Sequence, residues 1–190
     1  VYALLRFNLE PGRDVALLQI GGGAERLAAM QSNAVQGTLL TSPQQLLAKK
    51  LGFNVLADLA QLGIPFLHSA VITRDEVMAQ QPDLLNSFSR AVIEGIHFLN
   101  TRPRETLKIF QKYFRTDDQE ALQDSYDEYI TQIQRIPYVD PKAMQTVLQT
   151  LGESQPAALK AKPEQFVDHS LLQKIERSGF VEKLYGGQKQ

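Results

Sequence analysis

Three short apolar runs, each leading into or out of a helix-like segment, constrain this chain more than any other feature. DVALLQI (14–20) runs into Gly21, Gly22 and Gly23 and then into AERLAAMQS (24–32), whose apolar positions are Leu27, Ala28 and Met30. AVQGTLLT (34–41) runs into SPQQLLAKKLG (42–52), with Ser42 read as N-cap, Pro43 as the first helical residue and Gly52 as C-cap. FNVLADL (53–59) is the third run. Near-continuous apolar strands alternating with helices predict a β-α-β-α-β order and a small parallel sheet covered by helices. The expected fold class is therefore α/β.

IPFLHSAVITR (64–74) reads as one more extended segment, and after it the texture becomes helical. Pro82 precedes a long amphipathic stretch with Leu84, Leu85, Phe88, Val92, Ile96 and Leu99 on one side. Residues 103–114 follow, with Leu107, Phe110, Tyr113 and Phe114, and then a helix over about 118–134 with Leu122, Tyr126, Tyr129, Ile130 and Ile133. Pro137 and Pro141 punctuate the chain before a helix holding Met144, Val147, Leu148 and Leu151. A polar connection (153–165) leads to a last helix over about 168–178 that stops at Gly179, with Phe180, Val181 and Leu184 as anchors. These apolar faces exceed what three or four strands can cover. Either the helices bundle together, or they cover a sheet that lies outside this chain; the second is the expectation.

The chain opens VYALLRFNLEPGRDV, the tail of a helix (Leu4, Leu5, Phe7) and a Pro11-Gly12 turn, with neither an initiator Met nor a signal pattern. It reads as a fragment or processed product. Twenty basic residues against 21 acidic ones give a formal charge of -1, which argues against a nucleic-acid binder. There is no cysteine, so thiolate zinc sites, thiol catalysis and disulfides are excluded. No run approaches the ~18–20 apolar residues of a membrane span.

The two strand-to-helix junctions are the places for chemistry. In an open α/β sheet, ligands bind beyond the carboxyl ends of the strands. Each helix start offers unpaired N–H donors and a partial positive charge, and glycines let a ligand approach the backbone without a Cβ in the way. Gly21, Gly22 and Gly23 form either a tight turn or a cleft wall; Thr41, Ser42 and Pro43 form either a cap alone or the neighbouring wall.

Enzyme motifs fail. Gly21 and Gly23 begin a G-x-G-x-x-G pattern, but the sixth position is Arg26. The phosphate-loop, zinc-protease and nucleophile-elbow patterns are absent. His97 and His169 read as packing or surface residues, whereas His68 sits where the chain leaves the expected sheet and could touch a ligand. Asp117, Asp118 and Glu120 read as first-turn helix charges.

LEPGRDVALLQIGGGAERLAAMQSNAVQGTLLTSPQQLLAKKLGFNVLADLAQLGIPF closely resembles the second lobe of ABC-transporter substrate-binding proteins of the nitrate/sulfonate/taurine type, a group that includes thiamine-pyrimidine synthase-like proteins. ITRDEVMAQQPDLLNSFSRAVIEGIHFLNTRPRETLKIFQKYF and FVDHSLLQKIERSGFVEKLY continue the resemblance over nearly the whole chain. It implies a two-lobed, type II periplasmic-binding-protein-like fold with ligand held between hinged lobes. Residues 1–65 would be the second lobe, incomplete at its start, and 66–190 a hinge crossing and helical return to a first lobe absent from this chain. It also implies that Gly21, Gly22, Gly23, Thr41, Ser42 and Pro43 line one cleft wall, and that His68 and Ser69 lie on the crossing segment.

What the resemblance implies for function is a non-enzymatic, periplasmic or extracytoplasmic solute-binding component of an ABC importer. Its partners would be a small polar or anionic solute and a membrane permease. No cofactor, metal or nucleic acid is implied, and dimerisation of the fragment is one further expectation. The histidine and cysteine features of the pyrimidine-synthase members are missing, which counts against that activity. An enzyme on the same scaffold and a stand-alone helical interaction domain are the alternatives.

Overall fold

The computed structural model describes residues 2–59, 61–63, 65, 67, 69–152 and 154–186. Among them the helices are, in order, α1 (Tyr2–Arg6), α2 (Gly23–Gln31), α3 (Gln44–Lys50), α4 (Asp75–Gln80), α5 (Pro82–Thr101), α6 (Pro103–Phe114), α7 (Gln119–Gln132), α8 (Pro141–Gly152), α9 (Ser170–Arg177) and α10 (Phe180–Tyr185). The polar connection before α9 holds two 3-10 turns, Pro156–Lys160 and Pro163–Gln165.

The expected α/β class, a periplasmic-binding-protein-like lobe with a small parallel sheet, is overturned. Among the described residues there is no sheet, and the β-type pairing is an isolated bridge between Pro11 and Val15. The runs over 14–20, 34–41 and 53–59 follow their predicted places between helices without forming ladders. A strand exists only through its neighbours' N–H and C=O groups, and an apolar strand needs both faces covered as well. Neither condition is met here: Leu18 is 66% exposed and Leu56 88%. The helices on either side form because their hydrogen bonds are local.

The chain divides into two compact units that interleave in sequence, Val1–Leu62 with Pro103–Gln132 and Gly63–Arg102 with Ile133–Gln190. The sequence reading instead divides it once, after residue 65.

In the first unit α2 packs on α3, α3 on α7 and α7 on α6. Its core is Leu27, Ala48, Ala121, Leu122 and Tyr126, with Ser125 fully buried and its hydroxyl donated to the Ala121 carbonyl at 2.8 Å. Phe110 meets Phe114 and Tyr129 with ring centres 5.0 and 5.6 Å away, so Phe110 and Phe114 of the expected face of α6 pack, whereas Tyr113 stands in solvent.

In the second unit α5 starts at Pro82, whose missing N–H costs nothing in a first turn. Its buried seam is Ile96, as expected, with Ile93, which the expected seam left out; Leu84 and Phe88, both expected on it, are exposed. Ala143 and Leu148 of α8 and Ile175 of α9 complete the core. Gly179 takes φ 72°, the left-handed conformation that ends α9 and turns the chain into α10. Two guanidiniums then hold α10: Arg90 lies 4.6 Å from the Phe180 ring and Arg135 4.6 Å from the Tyr185 ring. His97 meets Tyr185 edge-on at 4.7 Å, a packing role.

Candidate functional site

Of the sequence-predicted site residues, the structure brings together the glycines and the Ser-Pro segment. A Cβ placed on Gly23 would stand 3.2 Å from Oε1 of Gln44, the first residue of α3, so the starts of α2 and α3 adjoin. Ser42 and Pro43 are buried and Thr41 is exposed. Ser69 belongs to the other unit and is exposed. His68 lies outside the described residues.

The two helix starts are differently satisfied. At α2, Gly22 is the N-cap, in extended backbone with no side-chain cap. The Arg26 amide closes the first turn on the Gly22 carbonyl at 3.0 Å, and the Arg26 Nε donates to the same oxygen at 3.2 Å. Among the described residues, no acceptor receives the amides of Gly23, Ala24 and Glu25, the orphan donors of a helix start. The approach is bare but not empty, because a Cβ on Gly22 would meet the Glu25 carboxylate at 3.0 Å. This corner therefore offers three amides, a positive helix end and a guanidinium, with one movable carboxylate over them.

The start of α3 is already occupied. The Ser42 amide donates to Glu128 at 3.2 Å and its hydroxyl donates to Asp124, both carboxylates of α7. Ser42 is only 5% exposed. Hence Ser42 does not cap α3, which starts two residues later at Gln44. At the other end of α3, Lys50 Nζ reaches Asp118 at 2.8 Å and Glu120 at 2.7 Å. Position 42 pairs with 124–128 and position 50 with 118–120, so α3 runs antiparallel to α7. Carboxylates sit at its positive end and Lys49 and Lys50 in its last turn, both favourable to the helix dipole.

Of the three expected first-turn charges only Glu120 lies in the first turn of α7; Asp118 stands just before the helix and accepts the Ala121 amide at 3.1 Å, and Asp117 accepts from Gln111. Asp118 and Glu120 together clasp Lys50. Asp124 and Glu128, which sequence reasoning missed, lie four and eight positions beyond Glu120 on the same face. That acidic i, i+4, i+8 spacing was the available signal; their partner Ser42 was not visible in it.

The Lys50 hydrogen bond holds the Asp118 carboxyl below the usual carboxylate range, with the Ala121 amide adding to it. Asp118, and after it Glu120, pushes the Lys50 ammonium above its ordinary value. The Asp118 part of this clasp is fully present above the ordinary carboxylate range and is lost as pH falls through its depressed value. The Lys50 part holds through neutral pH and is lost as pH rises through its elevated value. Lys50→Met should therefore move the Asp118 titration upward in carboxyl-carbon NMR; an unmoved midpoint would refute the clasp.

Among the described residues, no group of three His, Asp or Glu is placed to hold a metal ion, and no helix is long and apolar enough to cross a membrane. His169 accepts the Val139 amide at 3.2 Å through Nε2 and meets the Tyr138 ring edge-on, so it ties the loop before α8 to the start of α9.

The family model described as the NMT1-like family matches residues 1–111, more than half of the 190-residue chain and both helix starts of the site. The α7 carboxylates lie beyond the matched segment. No curated protein and no solved structure matches the chain. The family fits a solute-binding, transport-related role in general, with a small-molecule ligand and a transporter as partners. The family match agrees with the resemblance carried by the glycine turn and the Ser-Pro segment: the chain belongs to the NMT1-like family, among the nitrate/sulfonate/taurine-binding proteins.

Proposed function

We propose that this chain is the solute-capturing part of an extracytoplasmic ABC importer and that it binds its cargo without transforming it. The solute is a small polar anion of the nitrate, sulfonate, taurine or bicarbonate kind. The observation that carries the reading is the start of α2, where the Gly23, Ala24 and Glu25 amides have no acceptor among the described residues and lie beside the Arg26 guanidinium. Donors fixed by a helix bind an anion without having to be ordered at the moment of binding.

Glu25 sets a condition on this. Its carboxylate lies against the glycine turn, so an incoming anion has to swing it away. The start of α3 contributes shape instead of donors, because its Ser42 is committed to α7.

The test is calorimetric titration of the chain with nitrate, taurine, a short alkylsulfonate and bicarbonate in turn. At least one should give saturable heat with a 1:1 end point. Glu25→Gln should tighten that solute by severalfold, since a competing charge is removed. If none of the four binds, or if Glu25→Gln leaves affinity unchanged, the α2 corner is not the site.

A further inference from the structure

Helix α6 carries a face that neither its packing nor the proposed solute site uses. At about 100° per residue, Arg104, Lys108 and Lys112 fall within an arc of roughly 80°. All three are exposed, and none forms an ion pair with a described residue. Arg115, directly after the helix and also exposed, adds a fourth cation at its end. The one carboxylate of α6, Glu105, falls about 20° beyond the arc, between the cations and Ile109. The core side of the helix, with buried Thr106 and half-buried Leu107, Phe110 and Phe114, points another way.

Next to this cationic arc stand two apolar side chains that the fold leaves open. Ile109 and Tyr113 are four positions apart, hence neighbours on the surface, and Tyr113 is 73% exposed. The Lys112 ammonium lies 5.7 Å from the Tyr113 ring centre. Elsewhere in this unit Lys50 has two carboxylates and Arg13 has Glu10 and Asp14, whereas Arg6, Arg26 and Lys49 form no ion pair among the described residues but are scattered. Only on α6 do unpaired cations line up along one helix face. A row of unpaired cations beside an aromatic ring with a polar tip is the pattern of a surface that meets phosphate headgroups.

We infer that the exposed face of α6 is a docking surface for anionic lipid headgroups, with Arg104, Lys108 and Lys112 facing the phosphates and Tyr113 the headgroup layer. An acidic protein surface would use the cations but leaves Ile109 and Tyr113 without a purpose, which is why the lipid surface is favoured.

The experiment is co-sedimentation with vesicles of phosphatidylcholine alone and of phosphatidylcholine mixed with phosphatidylglycerol. The chain should pellet with the anionic vesicles only and be released as salt rises. Lys108→Gln with Lys112→Gln should weaken that binding by roughly 25-fold, about fivefold per cation. Lys142→Gln with Lys160→Gln changes net charge equally in the other unit and should leave binding as it was, with circular dichroism confirming both folds. Equal pelleting with both vesicle types overturns the inference. So does undiminished binding of the α6 variant, or retention on immobilised polyglutamate without any binding to anionic vesicles.

Discussion

Leu122→Ala is expected to destabilise the protein by about 2–5 kcal/mol, a large share of the ~5–15 kcal/mol that holds a typical domain together. Leu122 is 1% exposed, in the first turn of α7, with Ala121 and Ser125 also closed to solvent and Tyr126 nearly so. The substitution does not weaken α7 as a helix, because alanine is the better helix former. The loss comes from the leucine's contacts and from the cavity left where α7 packs against α6 and α3. Chemical denaturation should show a lower midpoint with an unchanged slope. Leu56→Ala is the matched control: that leucine is solvent-exposed, so the same atoms removed there should cost within about 0.5 kcal/mol. Equal effects from the two would mean that α7 is not the centre of this unit's core.

The second large effect concerns affinity. Gly22→Val should cut binding of the solute found by titration at least tenfold while leaving the fold nearly as stable. Gly22 has φ -80° and ψ -171°, extended backbone that a β-branched residue adopts without strain. The nearest obstacle to a new Cβ is the Glu25 Oε2 at 3.0 Å, the far end of a flexible side chain. The valine therefore fits the protein but occupies the approach to the α2 amides. Gly37→Ala, where a Cβ meets nothing within 4 Å, should leave affinity alone. Unchanged affinity in Gly22→Val would show that the glycine turn is structural only.

What could be read in the sequence was what the chain settles locally. Pro82, Pro103 and Pro141 each open a helix, and Gly179 ends one. The apolar spacing placed α2 to within a residue at either end. The sheet could not be read this way, because DVALLQI and FNVLADL are strands only if some other segment supplies a ladder, and none of the described ones does. The candidate site divides along the same line. The nearness of Gly23 to Gln44 follows from two adjoining helix starts, whereas the capture of Ser42 by Asp124 and Glu128 spans 82 and 86 positions. No local spacing encodes a contact of that reach.

That reach also sets a timetable for the growing chain. At ~5–20 residues per second, Asp124 is made about 4–16 s after Ser42. Throughout that interval α3 has neither its carboxylates nor the α7 surface that covers it. The leucines at 17, 18, 39 and 56 lie beside it in the same nascent segment, and they stay open even after folding ends. Ribosome-bound intermediates truncated before residue 118 should therefore be the most prone to aggregate and the most dependent on holdase chaperones, with that dependence falling once α7 is complete.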